Sequence, residues 1–222
     1  MQETGLIKKA LDFSVQMMYI IGIRKGGKME YKGYTIDIEQ DYSAEDPRDW
    51  DNLGTMICFH KRYQLGDKGH GVDTSDYSGW AEMEAELRKE YAVVLPLYLY
   101  DHSGITMKVT PFFCPWDSGQ VGYIVVSRET ILKEYGGSRL TSQKLEKAKS
   151  VLIGEVETYD MYLCGEVYSY MVPGLAEEDD NYDYMCSGYY GHEEAVKAAK
   201  EVIDSYIAAK EKNCGVQQEL AV

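Results

Sequence analysis

The residues from Val93 to Ser127 constrain the fold more than any other part of the chain, because long apolar runs alternate there with turn-forming residues. Val93 to Tyr100 is apolar and broken only by Pro96, and its length and composition favour a strand. Proline cannot donate to a ladder, so we expect an edge position or a bulge at Pro96. Ile105 to Thr110 alternates apolar and polar residues. With the Asp-His-Ser-Gly turn between them, the two runs predict a β-hairpin.

The segment from Pro111 to Gly122 is irregular and aromatic. We expect this loop to fold back on the domain and bury the indole of Trp116. Val121 to Val126 predicts a third strand, and Ser127 is a suitable N-cap for a helix that ends at Tyr135.

The rest of the chain contains further strands and helices without regular βαβ alternation. The predicted strands cover residues 29–31, 34–40, 53–60, 165–172 and 182–190, and the predicted helices cover residues 3–19, 79–91, 128–135, 141–163 and 192–212. This order predicts an α+β fold with a mainly antiparallel sheet, packed helices and a long C-terminal helix. We expect one α+β core domain at residues 29–190. An N-terminal helix and linker (residues 1–28) precede it, and a C-terminal helix with a frayed tail (residues 191–222) packs on it.

Charge and tyrosine content indicate what the surface binds. The chain has 37 acidic and 23 basic residues, a net charge of −14, and 20 tyrosines against four phenylalanines. Such a field repels nucleic acid and attracts basic surfaces. Tyrosine has an apolar ring face, a polar hydroxyl and few rotatable bonds, so it suits surfaces that bind other proteins. We therefore expect a basic protein partner and no direct binding to nucleic acid.

Several classes of protein are not indicated. The chain has no apolar run of about 18 residues and no signal-peptide pattern at its N-terminus, so we expect a cytoplasmic protein without membrane contact. The five cysteines show neither a disulfide framework nor zinc-ligand spacing. Phosphate-loop, dinucleotide-binding, zinc-protease and serine-hydrolase motifs are missing. We assign no cofactor, metal or catalytic residue, and a non-enzymatic role is favoured while an enzyme stays open. The oligomeric state is not predicted.

Two groups of side chains are candidates for binding. The first is acidic and comprises Asp41, Glu45, Asp46, Asp49 and Asp51 together with Glu177, Glu178, Asp179, Asp180 and Asp183. The second is a polar site at the predicted turns and comprises His60, Asp101, His102, Trp116 and Asp117. Solvated acidic loops and turn-forming residues are the structural alternatives. A nucleophile would require Cys114 to meet His60 or His102 in space.

Four stretches resemble a known family of uncharacterised proteins that phages and conjugative elements of Gram-positive bacteria carry. They read DPRDWDNLGTMICFHKRYQLGD, LPLYLYDHSGITM, PWDSGQVGYIVVS and GEVETYDMYLCGEVY. The resemblance covers roughly residues 30 to 190 and brings no established activity and no catalytic residues. It implies an accessory protein of a mobile element, similar in role to antirestriction or anti-CRISPR inhibitors.

Three hypotheses follow. In the first, an acidic DNA mimic occupies the basic nucleic-acid-binding surface of a host defence protein, with carboxylates in place of phosphates. In the second, an enzyme or small-ligand-binding protein uses the polar site around His102 and Trp116. In the third, the protein is an interaction module in replication or transfer of the element.

Overall fold

A computed structural model describes residues 27–175 and 184–219, with side chains described as far as Lys212. The helix predicted at Glu3 to Tyr19 and the five acidic residues between Glu177 and Asp183 lie outside the described residues.

The chain divides into two compact units, and we describe each by itself. The central unit is Ser43–Gly165, and the terminal unit joins Met1–Tyr42 to Glu166–Val222. These bounds differ from the predicted division after residues 28 and 190. The difference arises because strands on either side of the central unit pair with each other, which a search for compositional boundaries does not reveal.

The terminal unit is an antiparallel sheet covered by the long C-terminal helix. Its strands and helix are β1 (Gly27–Tyr31), β2 (Tyr34–Gln40), β7 (Val167–Val172), β8 (Tyr184–Tyr190) and α4 (His192–Glu219), with the strand order β1-β2-β7-β8. Ile36 and Ile38 of β2 and Tyr170 of β7 form a core with Ala199 and Ile203 of α4. This core confirms that the long C-terminal helix packs on a sheet through apolar side chains.

The central unit has a second antiparallel sheet with helices on both faces. Its elements are β3 (Thr55–Cys58), α1 (Trp80–Glu90), β4 (Tyr91–Asp101), β5 (Ile105–Lys108), β6 (Ser118–Ser127), α2 (Arg128–Tyr135) and α3 (Ser142–Cys164), and its strand order is β3-β6-β4-β5. The two sheets and their helices confirm the α+β fold and its antiparallel pairing.

The part of β6 from Val121 to Val126 is buried on both faces, which explains its apolar sequence. Ile124 packs with Leu152 of α3, whereas Tyr123 packs with Met83 and Leu87 of α1. The hydroxyl of Tyr123 donates to the carbonyl oxygen of Trp80 at 2.7 Å, so the polar end of this buried ring is satisfied.

The predicted cap at Ser127 and the predicted edge or bulge at Pro96 are confirmed. Ser127 accepts a hydrogen bond from the Thr130 amide as the N-cap of α2, and Thr141 caps α3. Pro96 pairs with Tyr123 of β6 in the part of β4 that β5 does not reach, and a register shift follows at Leu97. Pro96 therefore lies at a local edge of the sheet, next to a register shift, which suits a residue that has no backbone N–H to donate.

A buried arginine connects four segments of the central unit. The Arg48 side chain is 3% exposed. Its Nε and Nη2 donate to the two carboxylate oxygens of Asp67 at 2.6 and 2.9 Å, Nη1 donates to Glu155 at 3.2 Å, and Nη2 also donates to the Gly54 carbonyl oxygen at 2.7 Å. Glu155 accepts from the Leu53 amide at 2.7 Å. Burial lowers the pKa of Arg48, but its bonds to the two carboxylates outweigh burial and raise that pKa above the ordinary value.

We expect Arg48→Met to destabilise the central unit by about 3–5 kcal/mol, because the change leaves two buried carboxylates without their cation. All three tryptophans, Trp50, Trp80 and Trp116, lie in this unit, so tryptophan fluorescence during urea unfolding reports on it selectively.

The control is Arg88→Met, which removes an exposed ion pair with Glu84. Such pairs contribute less than about 1 kcal/mol. Equal losses in the two variants would show that the Arg48 network has no special role.

A partly buried carboxylate, that of Asp160, joins α3 to β5. Asp160 Oδ1 accepts from the Met107 amide at 2.6 Å, and the Cys164 thiol lies 3.6 Å from the same oxygen. Burial raises the pKa of Asp160 above its ordinary value despite these hydrogen bonds. Folding therefore favours the protonated carboxyl more than the unfolded chain does, and the contribution of this group to stability falls as pH rises from the unfolded pKa through the folded one.

Asp160→Asn keeps an acceptor oxygen and cannot ionise. We expect this variant to be at least as stable as the wild type at neutral pH, with an advantage that disappears below the ordinary aspartate pKa of about 3.8. Urea unfolding at several pH values measures the difference, and Asp160→Ala, which removes the acceptor, serves as the comparison. A neutral-pH loss as large in the asparagine variant as in the alanine variant would contradict this assignment.

Candidate functional site

A polar cluster lies at the end of the β4–β5 hairpin, and Asp101 is its centre. The Asp101 carboxylate accepts from the guanidinium of Arg62 and from the hydroxyl of Tyr63, the latter at 3.3 Å. The Asp101 amide donates to the carbonyl oxygen of Asp117 at 2.8 Å. The Asp117 carboxylate in turn lies 3.4 Å from Nδ1 of His102. The cluster thus joins the hairpin to the segments before and after it.

His60 reaches this cluster through Tyr63. The two rings stack with centroids 4.9 Å apart. His60 Nδ1 also accepts from the amides of Arg62 and Tyr63, at 3.3 and 3.2 Å. Four members of the predicted polar site, His60, Asp101, His102 and Asp117, therefore belong to one connected set of contacts. Arg62 and Tyr63 are members that the sequence did not predict, although two adjacent basic residues, Lys61 and Arg62, shortly after β3 in so acidic a chain were a usable signal.

The geometry of the cluster does not form a nucleophile and base. The Cys114 thiol donates to the Asp117 carboxylate at 3.5 Å, and a carboxylate is a much weaker base than an imidazole. Activation of a cysteine requires an imidazole or another base placed to accept the proton. Asp101 already accepts from two side chains. In the part of the chain that the structure describes, no group of three or more His, Cys, Asp or Glu side chains is placed to hold a metal ion.

Residues 111–117, which we call the aromatic loop, present two large side chains to solvent. Phe113 is 88% exposed and Trp116 is 92% exposed. The prediction that Trp116 is buried is therefore wrong. Phe112 takes the inward position instead, with its ring 5.6 Å from that of Tyr100 and the Lys108 ammonium 4.1 Å above it.

The backbone of the aromatic loop is fixed at several points. The hydroxyl of Ser118 donates to the carbonyl oxygen of Cys114, and the carbonyl oxygen of Asp117 accepts from Asp101. Together with the packing of Phe112, these bonds hold Phe113 and Trp116 in an exposed position on an anchored loop.

A cleft opens beside the polar cluster in the same unit. We call it the basic cleft, and its volume is about 1,170 Å³. Residues 58–70 supply most of its lining, with Asp46, Thr74, Gln120 and Val121 completing it. His60, Arg62 and Tyr63 belong both to this lining and to the polar cluster. Burial raises the pKa of the lining thiol Cys58 to about 12, so this cysteine is no candidate nucleophile at neutral pH.

The predicted acidic residues divide between the two units and the undescribed segment. Asp41 lies in the terminal unit, where its carboxylate accepts from the Gly188 amide at 3.1 Å. Asp46 caps a short 3-10 turn by accepting from the Arg48 amide at 2.9 Å, so it has a structural role in the central unit. Three carboxylates remain exposed around that turn, those of Glu45, Asp49 and Asp51.

Comparisons with known proteins identify no relatives. No protein-family model matches the chain, no curated protein matches it, and no solved structure matches it. Among the described helices, none is both long enough and apolar enough to cross a membrane.

Proposed function

We propose that the protein is a non-enzymatic binding protein whose central unit anchors a protein partner through the aromatic loop. The observation that carries the proposal is the near-complete exposure of Phe113 and Trp116, at 88% and 92%, on an anchored backbone. Exposed apolar patches mark interaction sites, and tryptophan is among the residues that contribute most to binding energy.

Anchoring of the loop favours tight binding. A flexible loop loses conformational entropy when a partner orders it, and this loss reduces affinity. Here the bond from Ser118 to Cys114, the bond from Asp101 to Asp117 and the packing of Phe112 already restrict the backbone. The polar cluster supports the same role, because it includes Asp117 of the aromatic loop and so offers charged and hydrogen-bonding groups next to the apolar anchors, as protein interfaces do at their rims.

The charge of the chain selects the kind of partner. A net charge of −14 favours association with basic surfaces, and three exposed carboxylates flank the turn at Pro47–Asp49. A basic surface that normally binds nucleic acid would accept these carboxylates in place of phosphates. Combined with the resemblance to proteins of mobile elements, this supports an antirestriction or anti-CRISPR type of inhibitor that acts on a host defence protein in the cytoplasm.

We expect the double variant Phe113→Ser/Trp116→Ser to lose a partner that the wild type captures from a Gram-positive host lysate. Truncation of a hot-spot residue costs about 2 kcal/mol or more, so the affinity for the purified partner should fall at least about thirtyfold. Affinity is measured by calorimetry once the captured partner has been identified and purified.

The matched control is Met185→Ser, which removes a 69% exposed apolar side chain from the terminal unit. Urea unfolding checks that both proteins remain folded. Unchanged affinity in the loop variant, with a folded protein, would remove the aromatic loop from the interface.

A separate prediction tests the mimicry of phosphates. Reversal of three charges, by Glu45→Lys, Asp49→Lys and Asp51→Lys, should weaken partner binding and flatten its dependence on salt, because these carboxylates would contact the basic surface directly. Affinities at low and high salt give both quantities.

The control reverses three exposed charges of α4, by Glu193→Lys, Glu194→Lys and Glu201→Lys, and so changes the net charge equally. Equal weakening in both triple variants would mean that the acidic field acts only at long range. The hypothesis of phosphate mimicry would then be rejected. Binding through the aromatic loop would still be tested separately, by the Phe113→Ser/Trp116→Ser variant.

A further inference from the structure

The side chains that line the basic cleft include more cations than carboxylates, whereas the chain as a whole is acidic. Lys61, Arg62 and Lys68 line it and are exposed. Within the described parts of the chain, Lys61 and Lys68 form no ion pair with a carboxylate. Three cations therefore face one cavity of a protein whose net charge is −14.

The two carboxylates of the lining are already engaged. Asp67 gives both oxygens to the guanidinium of Arg48 and also accepts from the Met56 amide at 3.0 Å. Asp46 accepts from the amide of Arg48. Arg48 offsets part of the charge of Asp67, which it shares with Glu155, and the lining itself carries three cationic side chains against two carboxylates.

Two histidines add hydrogen-bond donors. His60 Nδ1 accepts from two backbone amides, and His70 Nδ1 accepts from the Val72 amide at 3.2 Å. A neutral imidazole whose Nδ1 accepts carries its proton on Nε2, so each ring keeps one N–H group for another acceptor. Both rings line the cleft.

Glycines with positive φ occur in and next to the segment that lines the cleft. Gly69 and Gly71 have φ values of +73° and +75°, and a Cβ added at either would meet no atom within 4 Å. Gly66, with φ at +69°, lies so close to β3 that an added Cβ would be 2.6 Å from the Met56 carbonyl oxygen. Glycine is favoured at these backbone conformations, and at Gly66 the close approach to β3 also excludes a larger residue.

We propose that the basic cleft binds a small molecule that carries more than one phosphate group. Phosphate oxygens accept from lysine, arginine and imidazole donors, which are the groups that line the cavity. The volume of about 1,170 Å³ accommodates a ligand larger than a single phosphate ion. A nucleic-acid backbone offers the same chemistry, but the net charge of −14 repels a long polyanion much more strongly than a small one.

Arg62 would connect this ligand to the polar cluster. Its guanidinium is 67% exposed and bonds to Asp101 at the edge of the cleft. A phosphate group in the cavity competes with Asp101 for the same donors, and Arg62 can exchange one anionic partner for the other without becoming buried.

Calorimetric titration of the full chain with inorganic tripolyphosphate and with ATP tests the site, and adenosine serves as the probe without phosphates. We expect both phosphate compounds to bind and adenosine not to bind. The double variant Lys61→Gln/Lys68→Gln should weaken their binding at least about tenfold, because it removes two charge-assisted donors from the cavity. The control Lys89→Gln/Lys149→Gln makes the same change in net charge at exposed positions outside the lining and should bind as the wild type does.

Several results would overturn the proposal. No binding of either phosphate compound, or equal weakening in both double variants, would leave the cleft without this ligand. Equal binding of adenosine and ATP would show recognition of the nucleoside instead. A single-stranded DNA oligonucleotide that displaces tripolyphosphate at equal phosphate concentration, and depends on Lys61 and Lys68, would assign the cleft to nucleic acid.

Discussion

The buried guanidinium of Arg48 is the interaction on which the central unit depends. Its two carboxylate partners come from distant parts of the chain, Asp67 in the long loop after β3 and Glu155 in the middle of α3. Neither carboxylate is stable in a buried position without a cation, and the guanidinium is equally unfavourable there without both anions. The three charges, with the backbone amides that the carboxylates accept, therefore require each other, and they fix the loop and the helix in one arrangement.

The candidate sites depend on that arrangement. Residues 59–79 contain only a short 3-10 turn at Thr74–Asp76 as regular structure, yet they supply most of the basic cleft. Asp67 fixes this segment to Arg48, and the Gly66 amide donates to the hydroxyl of the buried Tyr159 at 3.0 Å. Lys61, Arg62 and Lys68 can therefore line one cavity, because the hydrogen bonds of the neighbouring residues Gly66 and Asp67 fix the backbone of this segment. The same anchoring principle applies to the aromatic loop, where backbone bonds leave Phe113 and Trp116 in solvent.

Local features of this fold could be predicted from the sequence, whereas the features that define the sites could not. The hairpin after Tyr100, the cap at Ser127 and the amphipathic helices depend on neighbouring residues, so spacing alone identifies them. The pairing of Arg48 with Glu155 spans more than a hundred positions and has no periodic signature. The exposure of Trp116 was mispredicted for a related reason, because only the tertiary structure shows that Phe112 occupies the inward position.

The division of the chain also implies an order in which the two units fold during translation. The amide of Asp41 donates to the Val167 carbonyl oxygen at 2.8 Å, so the chain leaves the terminal unit and returns to it at neighbouring points of one ladder. The ribosome completes Ser43–Gly165 while β2 still has no β7 to pair with. We therefore expect the central unit to fold first during translation, and the terminal sheet to close only after β7 has emerged. The aromatic loop and the basic cleft would then form before the protein is fully synthesised.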